Sequence, residues 1–509
     1  MLAAMPLPPT TVPPGDQTPA AGVRARSAGD RAVSADRGGR DDACPGALRL
    51  HPAHDGALAR VRLPGGLLTG RQADVLAGVA EELGDGRMDL TSRGNLQLRG
   101  LAAECGAPLA ERLRTAGLLP SDAHDRVRNI VASPLSGLDG TGYADVPGWA
   151  RELDALLCAA GPGESTEPTG LSGLSGRFLF ALDDGRGDVA ALGADVTLIA
   201  TPDGGAVLRM GPAGPAGGTG PVVRVAVAGD APRAAALAAL EFLTRAEESG
   251  IRAWRVPELP RQHAVTAEGL AARLADAGIA LGPATGIALG PATGVVAGPD
   301  TVTGVGPDTG HGPPAPGPVG PPAPGPVAGP DGRHAVSVAV PLGRMSAAQW
   351  RLLAALASRG GSDELRVTPW RGVVLPGFTP EGGRAAAAEL AEAGLVTDPD
   401  SPWLGVGACT GLPGCAKSLA DVRADAGRTV ARPVSGGPRT VPLPVYFSGC
   451  ERRCGHPGGR WVDALATGAG YRITVRGEPE TAGAPEGPEG VDVTAEQVAD
   501  AVAAARGTR

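Results

Sequence analysis

Apolar and polar positions along this chain follow a pattern that occurs twice. Behind Thr69 and Gln72 the apolar residues Val75, Val79 and Leu83 recur at helical spacing, and behind Ser346 and Gln349 so do Trp350, Leu353 and Ala357. A Thr or Ser followed three residues later by Gln is a capping box. Its two side chains satisfy backbone N–H groups left free at a helix start. Each helix is approached by a strand-like run, LARVRLPGG or VSVAVPLG, and followed by another, MDLTSRGNLQLRG or LRVTPWRGVVLPG. Pro64 to Gln72 and Pro341 to Gln349 are both eight residues apart. The pattern predicts a β-α-β unit in two copies.

The correspondence runs further. Arg93 and Arg371 each stand just before a glycine, with 34 residues from Arg93 to Val127 and 35 from Arg371 to Val406. There VRNIVASPLSG lies opposite VGACTGLPGC, Pro134 against Pro413, with Ile130 and Ser136 where the second copy has Cys409 and Cys415. Each unit is therefore expected to lead into a further α/β region, and only the second region carries thiols.

Composition sets the limits of these units. The 80 Gly and 50 Pro are unevenly spread. Residues 1–42 lack any apolar period and are expected to be a disordered lead. Residues 281–332 hold LGPATG twice and GPPAPGPV twice, without a strict glycine triplet. That excludes collagen and predicts a flexible linker or surface insertion. The net charge of −8 and 3% aromatic content argue against a nucleic-acid binder, which wants a basic footprint and stacking platforms. The start, MLAAMPLPPTTVPPG, lacks the charged region and unbroken apolar core of a secretory signal, and no run of about 18 apolar residues suggests a membrane span. Seven cysteines without an export signal are expected to be reduced thiols in the cytoplasm.

Four of the seven carry the chemistry. Cys409 and Cys415 form Cys-x5-Cys, and Cys450 and Cys454 form Cys-x3-Cys. Four thiolates are the usual ligand set of a 4Fe–4S cluster. Small residues around Cys409 and Gly449 would let backbone N–H groups reach the sulfurs, and Lys417, Arg452 and Arg453 add positive charge. A four-cysteine zinc site spaces its pairs by two to four residues, a range that x5 exceeds. Cys44, Cys105 and Cys158 read as small apolar residues. His456 reads as a solvated loop histidine, with ligation of a second metal as the alternative. No Gly-x-Gly-x-x-Gly follows a strand-like run and opens a helix, so no dinucleotide site is expected and electrons would come from a separate protein.

The duplicated unit, TSRGNLQLRG at Thr91–Gly100 and the cysteine pattern together resemble the siroheme and 4Fe–4S sulfite/nitrite reductase superfamily, over roughly residues 44–280 and 333–475. Within it, CPGALRL at Cys44, PGGLLT at Pro64, the NLQLRG strand and GACTGLPGCAKSLAD at Gly407 resemble the precorrin-3B synthases. The resemblance implies an α+β fold in which two ferredoxin-like half-units pair about a pseudo-two-fold axis, flanked by two α/β lobes. The expected divisions are 43–118 and 333–400 for the half-units, 119–280 for the first lobe and 401–509 for the cluster lobe with a C-terminal helix.

It also implies site roles. Arg93 and Arg128 would be catalytic, facing a macrocycle and its bound anion. Arg177 would keep one cation of a Lys-x-Lys pair whose second member is here Leu179. Asn95, Gln97 and Arg371 would join these arginines in binding substrate. The implied activity is an O2-dependent hydroxylation of precorrin-3A at C20 with γ-lactone formation. The expected cofactors are the cluster and a mononuclear non-haem iron, with siroheme as the alternative. A ferredoxin or flavoprotein would deliver electrons, with NADH as the ultimate donor. Siroheme-dependent sulfite or nitrite reduction is the rival reading, and a non-catalytic redox or assembly protein the third.

Overall fold

The structure is a computed structural model that describes residues 42, 44–159, 170–212, 220–283, 287–289, 295–297, 320–430, 442–477 and 490–507. The first half-unit runs β1 (His51–Ala53), β2 (Gly56–Val61), β3 (Leu67–Thr69), α1 (Gly70–Leu83), β4 (Arg87–Leu90), β5 (Leu96–Leu101) and α2 (Gly106–Thr115). The first lobe follows as β6 (Ile130–Ala132), α3 (Val146–Cys158), β7 (Phe180–Asp183), β8 (Val196–Ala200), β9 (Ala206–Met210), β10 (Val222–Val225), α4 (Ala231–Ser249) and α5 (Ala267–Asp276). A short antiparallel pair, β11 (Ile287–Leu289) and β12 (Val295–Ala297), comes next.

The second half-unit consists of β13 (Gly325–Ala328), β14 (His334–Ala339), β15 (Arg344–Ser346), α6 (Ala347–Gly360), β16 (Glu364–Val367), β17 (Gly372–Phe378) and α7 (Pro380–Glu392). The second lobe is β18 (Val406–Ala408), α8 (Val422–Val430), β19 (Val445–Ser448), β20 (Trp461–Ala466), β21 (Tyr471–Arg476), β22 (Val491–Val493) and α9 (Val498–Arg506).

Both capping boxes form as the sequence predicts. The Thr69 and Ser346 hydroxyls accept from Gln72 N and Gln349 N at 3.2 Å each, while the two amide oxygens accept from Thr69 N and Ser346 N. Each Gln also donates from Nε2 to the carbonyl that closes the following helix, Gln72 to Ala116 and Gln349 to Ala393. One residue thus ties two helices together in each copy. Helices α1 and α6 pack against each other, and the Trp350 indole N–H donates to Ala73 O at 2.7 Å. Leu76, Ala77, Val79, Trp350, Leu353 and Ala357 are fully buried in a core shared by the two half-units. Val75 and Leu83 pack at its edge. Each large aliphatic side chain buried here contributes about 1.5–3 kcal/mol.

The half-units exchange a strand. The first sheet runs β1-β2-β5-β4-β15 and the second β13-β14-β17-β16-β3, all antiparallel, so each is completed by the strand that precedes the other's helix. Leu68 faces Leu365 in one junction and Met345 faces Met88 in the other. The two lobes share a topology too. Strands β6, β7 and β8 are parallel with β9 and β10 antiparallel, and β18 to β22 repeat that order.

Two expected boundaries shift. Asp42, placed in the lead by sequence, is buried and accepts hydrogen bonds from Ser175 Oγ and Gly176 N. The Gly/Pro-rich stretch ends before 332, because Gly325–Ala328 pairs with β14 as an edge strand. Edge strands tolerate Pro326 because one of their sides needs no donor. The expected lead over 1–41 lies outside the described residues, as does most of 284–319. Among the described residues no helix is long and apolar enough to cross a membrane.

Candidate functional site

The turns between β4 and β5 and between β16 and β17 are built alike. Gly94 N donates to Thr91 O and Arg371 N to Thr368 O, both at 3.2 Å, and each Thr also accepts from the residue that leads into the next strand. By this bonding Arg371 (φ 59°) occupies the left-handed position of Gly94 (φ 63°), and Arg93 matches Trp370. The sequence pairing of Arg93 with Arg371 is therefore off by one, and the two arginines leave their turns in different directions. Arg93 reaches the first lobe and donates to Gly176 O at 3.3 Å. Arg371 reaches the second, donating to Gly455 O at 3.0 Å with its guanidinium 5.9 Å from the Tyr446 ring centre. Trp370 packs on the first lobe. A Cβ on Gly94 would lie 3.2 Å from Val367 O, which shows how closely the two turns meet.

Around Arg93 lies a group of cations that the sequence reading did not single out. Arg60 on β2 faces Gln97 on β5 and donates to its Oε1 at 3.1 Å. Arg62 is 2% exposed, donating from Nε to Arg126 O and from Nη2 to Pro45 O. Its Nη1, and Nε of Arg60, are buried without a hydrogen-bond partner among the described residues. Burial and the neighbouring Arg60 push Arg62 down to about 9, and burial and Arg255 lower Arg93. Buried donors left unmet, in a crowd of like charge, favour an anionic guest. The only hint in the sequence was Arg-x-Arg before Pro64. Alternating charge on a strand ordinarily means a solvated face, and here the face is covered.

The other expected substrate residues fall into two groups. Asn95 is fully buried and structural in its contacts, accepting from Leu63 N at 3.0 Å and donating to Asn129 Oδ1 at 3.1 Å. Arg128 is 4% exposed and holds Asp154 in a fork, Nε and Nη2 each at 2.6 Å, while Nη1 donates to Leu118 O at 2.9 Å. Three of its five N–H donors are thus engaged by Asp154 and Leu118. Arg177 is exposed, with its guanidinium 4.4 Å from the Trp254 ring centre. Leu179 is buried among Val131, Ala181, Val189 and Ala194.

The four cysteines converge at one end of the second lobe. Cys409 follows β18 directly and Cys450 follows β19 by two residues, so both leave the carboxyl ends of adjacent parallel strands. Gly449 N donates to Cys409 Sγ at 3.2 Å. A Cβ at Gly449 would sit 1.9 Å from Ser418 Oγ, so only glycine lets this amide approach. The Cys454 thiol is pushed up by burial, eased by Arg452, and raised again by Cys450, Cys409 and Cys415, so all four sulfurs share one electrostatic neighbourhood. None is in a disulfide. Tyr446 Oη donates to Cys454 O at 2.6 Å, and Arg423 ties Cys409 O to Asp89 of the first half-unit.

The thiol set and a backbone donor aimed at sulfur fit a 4Fe–4S cluster. The described residues do not themselves make a mononuclear iron site. Among the described residues no three His, Cys, Asp or Glu side chains converge as ligands of one ion, whereas a four-iron cube holds its thiolates farther apart. His456, the alternative second-metal ligand, is exposed and stacked on Trp461 at 5.2 Å.

The first lobe shows why it holds no thiol site. Ser133 N donates to Leu182 O as Cys409 N does to Phe447 O, and Asp184 N donates to Ser133 Oγ at 3.2 Å as Gly449 N does to Cys409 Sγ. Ser133, rather than Ile130, therefore stands opposite Cys409. Around it Arg186 binds Asp184 and Asp139, while Asp183 accepts from Gly185, Gly187, Val189 and Ala190. Charged side chains and backbone fill the place that the sulfurs frame in the second lobe.

Known proteins match this geometry in parts. Residues 51–116 and 327–393 match the nitrite/sulfite reductase ferredoxin-like half domain. The two matches fall on the two half-units. It is 38% identical to a ferredoxin–nitrite reductase of Synechococcus elongatus over 131 residues, covering 25% of each chain. It is 36% identical to a precorrin-3B synthase of Sinorhizobium over 118 residues, 23% of this chain and 25% of that one. The match thus spans about a quarter of the length of these curated relatives. The NirA protein of Mycobacterium tuberculosis superposes with a TM-score of 0.62 at 20% identity, covering 88% of this chain and 79% of that one. That likeness carries the fold: α+β, with duplicated ferredoxin-like halves.

Proposed function

We propose that the chain is an oxidoreductase whose second lobe holds a 4Fe–4S cluster on Cys409, Cys415, Cys450 and Cys454, and that it oxygenates a carboxylate-rich tetrapyrrole. Following the precorrin-3B synthase match, the substrate is precorrin-3A, hydroxylated by O2 at C20 with closure of an acetate side chain to a γ-lactone. The observation that carries this reading is the contrast among the arginines. Reduction of a small oxyanion needs several cations gathered on one point. Here Arg128 is spent on Asp154, Arg177 lies over Trp254, and the second cation of that pair is a buried leucine. Arg60, Arg62 and Arg93 instead present their donors from β2 and the β4–β5 turn, which suits a guest with more than one carboxylate.

In this reading Arg60, Arg62 and Arg93 bind and orient the substrate, with Gln97 setting the Arg60 rotamer. Arg128 and Asn95 are positioning residues, since their partners fix the Leu63 and Leu118 backbone beside the site. Arg371 holds the Cys454 loop against the turn that meets Arg93. When bound, the cluster supplies electrons singly. The balance takes one oxygen atom into the substrate and the other into water, with two electrons and two protons. The electrons come from a ferredoxin or flavoprotein, with NADH as the ultimate source.

The test is turnover of precorrin-3A under 18O2 with a reduced ferredoxin. Mass spectrometry is expected to show one labelled oxygen in the product. Unlabelled substrate, with nitrite or sulfite consumed by the same sample, overturns the reading. Siroheme-dependent nitrite or sulfite reduction is the second reading, favoured by the 38% match to a nitrite reductase.

A further inference from the structure

The loop that carries Cys409 and Cys415 is gripped from outside its own lobe. Arg99 on β5, with 6% of its side chain exposed, donates from Nη2 to Gly414 O at 2.9 Å. Its Nε and Nη2 also hold Asp55 in a fork, both at 2.8 Å. His54 beside Asp55 meets Pro413 O through Nδ1 at 2.8 Å, so that nitrogen carries the proton. The two carbonyls just before Cys415 are thus both taken by the first half-unit. A Cβ on Gly414 would come within 2.9 Å of Asp55 Oδ2, so the carboxylate lies directly against this loop. Arg99 also shares its strand with Gln97, which sets Arg60 in the arginine group.

The first lobe offers a control. There Arg366 of the second half-unit donates to Pro134 O and Ser136 O, and pairs with Glu364. That loop bears no thiol, so a grip of this kind holds backbone in both lobes. Only in the second does it set a full positive and a full negative charge beside a metal ligand.

We propose that Arg99 and Asp55 are positioning residues for the cluster, fixing the Cys415 loop and balancing the electrostatic field in which the cluster changes oxidation state. The proposal rests on the cluster reading. A reduced cluster carries one more negative charge than an oxidised one, so a nearby guanidinium favours reduction and a nearby carboxylate opposes it. In the intact pair the two largely cancel. Removing either one unbalances the field, with opposite sign.

The experiment takes full-length wild type, Arg99→Gln, Asp55→Asn and Arg99→Lys, purified anaerobically. Iron and acid-labile sulfide are counted, and the cluster midpoint potential is read by an EPR-monitored redox titration. Arg99→Gln is expected to lower the potential and Asp55→Asn to raise it, with Arg99→Lys closer to wild type than Arg99→Gln. Should Arg99→Gln lose its cluster, the upward shift in Asp55→Asn and recovery of the cluster in Arg99→Lys still support the proposal. Unchanged potentials, or shifts of one sign in both Arg99→Gln and Asp55→Asn, overturn it. Wild type without labile sulfide overturns the cluster reading itself, and the proposal with it.

Discussion

Arg371 sits in a left-handed conformation that costs a residue with a Cβ roughly 1–2 kcal/mol. The matching position of the first half-unit is Gly94, where the same turn carries no such cost. A strained arginine that binds the Cys454 loop is the pattern expected where function overrides local preference. Arg371→Gly is accordingly expected to leave urea stability unchanged or raise it by about 1 kcal/mol, while lowering turnover of the loaded enzyme. A loss of several kcal/mol would show that the side chain serves the fold instead.

Asp188 offers a pH test at the same scale. Burial and the nearby Asp183 push its carboxyl up to about 7. The folded state therefore holds a proton that the unfolded chain releases near 3.8. The stability tied to that proton is fully present below about pH 4 and is lost as pH rises to about 7. Asp188→Asn is expected to flatten the fall in stability between pH 5 and pH 8 relative to wild type, as read by urea midpoints. A variant that falls as steeply contradicts this. At this scale the sequence showed the four cysteines, because thiols in short-spaced pairs have few bland explanations. It hid Arg60 and Arg62, whose burial depends on Arg126, Pro45 and a facing strand far off in the chain.

Secondary elements divide along the same line between local and distant causes. The capping boxes were legible because all their partners lie within three residues. Their second role, joining Gln72 to Ala116 and Gln349 to Ala393, spans 44 residues in each copy and left no mark on the pattern. Gln349→Ala loses both kinds of contact and is expected to cost about 1–3 kcal/mol in chemical denaturation. The exchange of β3 and β15 was equally invisible, since three-residue strands are too short to show a period. It has a direct consequence. Residues 42–118 produced alone would lack β15 and leave Leu68 without Leu365, so that fragment is expected to show no cooperative urea transition. A cooperative transition would mean that each half-unit folds independently. The lobes misled in a different way. Matching Pro134 to Pro413 put Ile130 opposite Cys409, whereas the strand ladders put Ser133 there, because ladder register follows hydrogen bonding between β6 and β7 and not the loop prolines.

For the molecule as a whole, the duplication is what gives the chain one candidate redox site rather than two. Equivalent loops at the ends of equivalent sheets hold thiols in one lobe and a closed Asp–Arg network in the other. The half-units between them send Arg93 to the first lobe and Arg371 to the second from turns that touch. Each lobe is thereby tied to the seam between the half-units by one arginine. We propose that this seam serves a cluster-fed oxygenation and not a siroheme reduction. The most direct test is the ultraviolet–visible spectrum of anaerobically purified protein, with iron and acid-labile sulfide measured on the same sample. A broad shoulder in the blue that bleaches on reduction, labile sulfide present and no Soret-like band is the expected result. A sharp Soret band with a partner in the orange-red would contradict it and assign the arginines to siroheme.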